Sequence, residues 1–370
     1  MESLFVDGPV AYSCWVYRDP NRDDLATIIH NFGDIHRLYS GCSYTMAPKI
    51  SIEELISETI AIANERGTVV DLFFETEQSD CYNSVTYSKY AMQLKGAMNR
   101  IAAKFSSCFC LTNALKKQEC RENFPAGRFH AVDLRRVLGF STPSKDWPEM
   151  EDKQSAHWIG FKTFVKNQIY RVENGNVRGK LLEMYQTIRG NFELKKDTVD
   201  SYNPIMDIYL LGRLFRSYDN IGGNLKSAFN NAAVKNAILY TGMRHKLQYD
   251  EFFKAIGALC VYEFQLIPQQ LLHPRMLPFP QCVGVPVFKI NNRRYYLPLY
   301  EDFTHTNYQE FKPRNIDATY AIKIEDIPVH SMTLPREFTR TMIPKKKYTM
   351  TTKRKREFDK GDGEKKKQRI

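Results

Sequence analysis

The sequence predicts an α/β protein: a mainly parallel sheet in an N-terminal domain, then a helical region, a short β-hairpin region and a disordered basic tail. Three observations carry this expectation. Apolar, strand-forming runs alternate with helix-patterned stretches over residues 1–143, the βαβαβ order of a parallel sheet. Three of those runs end in groups that ionise: Gly33-Asp34-Ile35-His36, then Asp71 to Glu77, then Phe129 to Arg135. Past Pro143 the apolar residues recur at helical spacing, and from Pro344 onward Lys and Arg dominate. The expected divisions are 1–143, 144–275, 276–343 and 344–370.

Taken in order, Ala26–Phe32 reads as a buried strand ending at Gly33. Ser51 and Glu54 stand at the N-cap and N3 spacing of a capping box, which predicts a helix through Ile52, Leu55, Ile56, Thr59 and Ile60 until Gly67 stops it. Thr68–Phe74 is a second buried strand, apolar except for Asp71. A helix is expected from Tyr87 or Ser88 to Phe105, and a third strand over Arg128–Leu134.

Helical spacing then runs through Trp158–Ile169 and Leu181–Ile188, and is read across Pro204–Tyr218, Leu225–Tyr240 and Tyr249–Leu266. Val285–Ile290 and Arg294–Pro298 flank Asn291-Asn292-Arg293, a hairpin signal. The right-handed crossover rule predicts Phe32, Phe74 and Val132 in adjacent parallel strands.

Composition bounds the function classes. At 370 residues and 43% hydrophobic, with 23 Phe and 21 Tyr, the chain can bury a large core. Its apolar run from Ala255 to Tyr262 stops at Glu263, far short of the ~18 residues of a membrane span. The stretch Met1–Asp7 has neither the basic region nor the apolar segment of a signal peptide. With no secretory signal read, the eight cysteines are expected as free thiols in a reducing compartment. Cys108-Phe109-Cys110 with Cys120 lacks paired Cys-x-x-Cys knuckles, so buried thiols are expected there in preference to zinc.

The net charge of +11 is a property of the tail: Pro344–Ile370 holds twelve Lys and Arg against four acids. The clusters Lys353-Arg354-Lys355-Arg356 and Lys365-Lys366-Lys367-Gln368-Arg369, eight residues apart, fit a bipartite nuclear-targeting pattern. Nuclear import machinery is one expected partner, and weak, non-specific nucleic-acid contact through the tail is another. The same clusters also suit a merely solubilising tail.

Candidate site residues sit at the strand ends. Asp34 and His36 follow a tight turn at Gly33; they can act as a carboxylate and general base, hold a divalent metal, or simply cap the sheet. Asp71, Phe73 and Glu75 share one strand face, with Val70, Leu72 and Phe74 on the other. A buried Asp71 requires donors or an Arg partner. Glu75, nearer the strand's end, can face a site or be an ordinary loop acid. Asp133 and Arg135 share a face, as a structural ion pair or as groups that meet an anionic substrate.

Gly33-Asp34-x-His36, a strand ending in Glu75, and a strand ending in Asp133-x-Arg135 together resemble a superfamily that includes erythromycin esterases, ChaN-like haem-binding lipoproteins and TraB/Tiki proteins. Uncharacterised proteins of large DNA viruses look most similar. The resemblance covers roughly residues 24–140, carried by Gly33, His36 and Glu75 with Asp133 and Arg135 in support. It implies an α/β fold and a site at the strand ends. Two functions then stand as expectations. One is a hydrolase in which His36, with Asp34 or Glu75, activates water against an ester or amide, with Arg135 or a divalent metal stabilising the oxyanion. The other is a non-catalytic viral structural or host-interaction protein with a nuclear-targeting tail. Either is expected inside the cell, in the host nucleus or cytoplasm if viral, without membrane association.

Overall fold

A computed structural model describes residues 3–20, 26–34, 49–77, 96–110, 113–133, 156–193, 198–218, 233–265, 282–286, 288–290, 293–295 and 297–300. All of them lie within one compact unit, Met1–Ala321. His36, Arg135, Leu134, the helix start at Tyr87–Lys95 and the tail clusters Lys353–Arg356 and Lys365–Arg369 lie outside the described residues.

The main sheet has six strands: β2 (Ala11–Arg18), β3 (Ala26–Asp34), β5 (Val70–Glu77), β6 (Gly127–Asp133), β7 (Asn236–Gly242) and β8 (Leu259–Gln265), in the order β6-β5-β7-β3-β2-β8. β6, β5, β7 and β3 run parallel; β2 is antiparallel to both of its neighbours. A second sheet joins β1 (Ser3–Asp7) to β4 (Lys49–Ser51) and β9 (Cys282–Pro286). The expected hairpin forms between β10 (Phe288–Ile290) and β11 (Arg293–Tyr295), with Ile290 paired to Arg293.

Seven helices complete the described residues: α1 (Ile52–Glu65), α2 (Ala97–Lys104), α3 (Ala114–Asn123), α4 (Ala156–Tyr170), α5 (Gly175–Glu193), α6 (Thr198–Leu214) and α7 (Met243–Ala255). On one face of the main sheet Tyr12, Phe32, Leu72, Phe74 and Tyr240 pack with α1, α2 and the small sheet. On the other, Trp15, Ile29, Phe73, Val132 and Leu239 pack with α4, α5, α6 and α7. The alternation predicted for β5 is therefore the alternation that sorts its side chains between two cores.

Local signals set α1 as expected. Ser51 and Glu54 exchange the two hydrogen bonds of a capping box, at 3.4 Å and 3.3 Å, worth about 1 kcal/mol. Beyond its end, Gly67 takes a φ of 68°, which a side chain would resist.

Three expectations need correction. Phe32 and Phe74 are not on adjacent strands, because β7 lies between them and Tyr240 pairs with both. The stretch Leu225–Tyr240 is not one helix: Asn236–Gly242 is a central strand, buried at every position. A strand buried on both faces has no alternation, so its apolar run reads equally as helix. Tyr249–Leu266 is likewise divided: α7 ends at Ala255, Gly257 turns at φ 83°, and β8 follows as an edge strand. Strands from both sides of position 143 thus share one sheet.

The cysteines also differ from expectation. Cys108 and Cys120 form a disulfide, and Cys110 and Cys282 are disulfide-bonded too. Cys14 and Cys260 are free, and burial pushes the Cys260 thiol up to about 11, leaving it protonated and inert. Disulfides of this kind persist in oxidising compartments, not in a reducing one. Among the described residues no helix is long and apolar enough to cross a membrane.

Candidate functional site

Four parallel strands deliver their carboxyl ends to one edge of the sheet: β3 at Asp34, β5 at Glu77, β7 at Gly242 and β6 at Asp133. Ligands of open α/β sheets bind outside such ends. The sequence-predicted acids are all there, but they divide between the two faces. Asp34, 2% exposed, accepts a hydrogen bond at 3.2 Å from the Tyr240 hydroxyl, in the core on the α1 side. Burial first, and then the Asp34 charge, hold the Tyr240 phenol well above its ordinary value. Asp133 is buried beside the backbone of Glu77, its register partner across a bulge in β5.

Glu75 turns the other way. Its Oε2 accepts from the Gly242 backbone N–H at 2.6 Å, where β7 gives way to α7. Its Oε1 lies 3.8 Å from His245 Nε2, in the first turn of that helix. His245 Nδ1 is 2.6 Å from Asp207 Oδ1 on α6. A carboxylate only accepts, so Nδ1 carries a proton towards Asp207, while Nε2 faces the Glu75 carboxylate at a distance too long for a direct hydrogen bond. Burial raises the Asp207 carboxyl, against the lowering effect of its hydrogen bonds to His245 and Tyr249. The Tyr249 ring also stacks on His245, 26° from parallel. On the same sheet face, the Thr241 hydroxyl is buried with no hydrogen-bond partner among the described residues.

A polar pin fixes α7 at this position. Asp250 Oδ1 accepts from Ser13 Oγ at 2.7 Å, Trp15 Nε1 at 2.8 Å and Asn31 Nδ2 at 2.9 Å, while Oδ2 pairs with the fully buried Lys246 ammonium. Gly33 lets the helix approach: a Cβ there would stand 2.8 Å from Met243 Sδ and 3.2 Å from Lys246 Cβ. His245 is thereby held by its backbone as well as by its ring.

Asp71 meets the requirement set for it by burial. Arg128 grips both of its oxygens, and His130 Nε2 lies 2.7 Å from Oδ1. Burial pushes this carboxyl up, but Arg128 and His130 outweigh it and hold Asp71 below its ordinary value. Arg213 donates to His130 Nδ1 at 2.9 Å, so His130 is neutral with its proton on Nε2. This cluster lies at the start of β5 and β6, the opposite end of the sheet from Glu75.

Sequence reasoning placed Glu75 at the site and missed His245, Asp207 and Thr241. A signal for His245 was present. Ala237–Gly242 is another apolar run ending in glycine, with a histidine three residues on, the same pattern that drew attention to Gly33 and His36. Among the described residues no group of three or more His, Cys, Asp or Glu is arranged to hold a metal ion. Comparison with family models, with curated proteins and with solved structures finds no match for this chain.

Proposed function

We propose that this protein is a hydrolase in which a histidine and carboxylates at the carboxyl edge of the parallel sheet activate water against an ester or amide carbonyl. The observation that carries the reading is the buried line Asp207–His245–Glu75, with contacts of 2.6 Å and 3.8 Å. Asp207 fixes the imidazole tautomer and stabilises the imidazolium formed when Nε2 takes a proton. Glu75, itself held by Gly242 N–H, faces that nitrogen and can orient the water being deprotonated. The unpartnered Thr241 hydroxyl on the same face offers a hydrogen bond to substrate. His36 belongs to this proposal only as a candidate second base.

The competing reading, a non-catalytic viral structural or host-interaction protein, draws on the burial of His245, Asp207 and Tyr249, which suits a structural polar network equally well. Hydrolysis separates the two. The full chain is assayed against activated aryl esters and anilides, alone and with added divalent metal, alongside His245→Gln and Asp207→Asn. The expected result is turnover by the parent chain and a loss of about 10²–10⁴-fold in His245→Gln with an unchanged circular dichroism spectrum. No turnover on any substrate, or full activity in a folded His245→Gln, rejects the hydrolase.

A further inference from the structure

At the end of the sheet away from Glu75, two arginines, Arg213 and Arg216, have no ion-pair partner among the described residues. Tyr218 follows α6, and the guanidinium carbons of Arg128, Arg213 and Arg216 lie 4.6, 5.8 and 4.6 Å from its ring centroid. Arg128 is paired with Asp71. Arg213 and Arg216 are different, since among the described residues their hydrogen bonds go to uncharged groups. Arg213 reaches neutral His130 and the Tyr209 hydroxyl, and Arg216 reaches the Gln168 amide oxygen at 2.7 Å. Each leaves a buried Nε with no hydrogen-bond partner among the described residues. Burial lowers the Arg216 pKa, and repulsion from Arg213 and Arg171 adds to that, so the charges sit together at a cost.

Arg216 lines a cavity of about 30 Å³ between the end of β2 and the start of β7, with Tyr17, Thr27, Asn174 and Ser217. That volume holds about two waters, the size of an oxyanion head group and not of a whole metabolite. The Tyr17 hydroxyl is a second buried polar group there, close to the Asn174 amide and the Asp19 carboxylate but short of a full hydrogen bond among the described residues. Two carboxylates also line the cavity. Asp19 is engaged by Asn174 Nδ2 at 2.7 Å, and Glu173 is exposed, where solvent screens it.

We propose that Arg216 and the Tyr17 hydroxyl, with Arg213 beside them, form a binding site for the oxyanion head group of a ligand, a phosphate or a carboxylate. An oxyanion supplies an acceptor to the Arg216 Nε and to the Tyr17 hydroxyl and brings negative charge beside Arg213 and Arg216, and guanidinium forks match its geometry. The site is independent of the Glu75–His245 reading and lies at the other end of the strands.

Thermal unfolding of the full chain in sodium phosphate, sodium acetate and sodium chloride at matched pH and ionic strength tests the proposal. A ligand that binds only the native state raises the midpoint, here by about 2–4 °C at saturation. The rise is expected to disappear in Arg216→Gln and to shrink in Tyr17→Phe, which keeps the ring and removes only the unsatisfied hydroxyl. It is expected to persist in Lys365→Gln, which removes a tail charge instead. A rise with phosphate alone assigns a phosphate group; a rise with both anions assigns oxyanions in general. No rise over chloride in the parent chain, or one that survives in both Arg216→Gln and Tyr17→Phe, overturns the site.

Discussion

Glu75 Oε2 accepts the Gly242 backbone N–H at 2.6 Å, joining the end of β5 to the junction of β7 and α7. This one bond sets the carboxylate and the helix carrying His245 in a fixed relation, across 167 residues of sequence. Its two functions are separable. Glu75→Gln keeps an acceptor for Gly242 and removes the charge, so stability is expected to stay within about 1 kcal/mol while hydrolysis falls. Glu75→Ala strands a buried N–H and is expected to cost about 1–3 kcal/mol in urea unfolding. Equal stability of the two variants would show that the bond does not hold the junction.

At Gly33 the helix α7 packs directly against β3. Gly33→Ala places a Cβ 2.8 Å from Met243 Sδ and 3.2 Å from two Lys246 carbons, and overpacking of this kind costs about 1–3 kcal/mol. Because the displaced helix carries His245, hydrolysis is expected to fall with it. Gly179→Ala in α5, where a Cβ meets nothing within 4 Å, is the control and is expected to stabilise by about 0.5–1 kcal/mol.

Two buried imidazoles make the fold sensitive to acid. Burial pushes both His30 and His130 from 6.5 down to about 4. The unfolded chain therefore binds more protons than the folded one between those values. Stability is full above pH 6.5 and is lost as pH falls towards 4, by roughly 3 kcal/mol for each group at most. Urea midpoints measured from pH 7 to pH 4 should fall accordingly, and His130→Gln should flatten the slope. A midpoint flat over that range would mean that these imidazoles are not kept neutral by the fold.

The Cys108–Cys120 bridge closes a loop of sequence separation 12 between the end of α2 and α3. Cys108→Ser with Cys120→Ser is expected to cost about 2–4 kcal/mol, read from denaturant unfolding without reductant. Intact mass under non-reducing conditions, before and after alkylation, is expected to show Cys108, Cys110, Cys120 and Cys282 protected and Cys14 and Cys260 alkylated after unfolding. Alkylation of all eight without reduction would restore the free-thiol expectation.

The tail 344–370 carries eight of the eleven net positive charges. Fused to a reporter, it is expected to concentrate the fusion in nuclei, and Lys353, Arg354, Lys365 and Lys366 changed to Ala should abolish that. Its DNA binding should be insensitive to sequence and fall steeply with salt, as counterion release requires. A fusion spread evenly through the cell removes the targeting role. DNA binding that survives deletion of 344–370 would assign the contact to the body of the chain.

Much of this molecule is determined locally. Ser51 and Glu54 start α1 because their side chains reach backbone groups three residues away, and Gly67 ends it through its own backbone. The alternation through Asp71, Phe73 and Glu75 assigns two faces, and burial of Asp71 demands the partners it has in Arg128 and His130. Glu75 at the carboxyl edge follows from where its strand stops. What tertiary structure alone decides is which strands become neighbours. β7 enters between β3 and β5, although Asn236–Gly242 carries no alternation to mark it as a strand, still less as their partner. With β7 comes α7, and so His245 meets Glu75 and Asp207, while Asp34 and Asp133 remain on the far face. The pairing of Cys108 with Cys120 belongs to the same class. Periodicity within a segment reports which side of that segment is buried, whereas the group that buries it is chosen by packing summed over the whole sheet, which no short stretch of sequence contains.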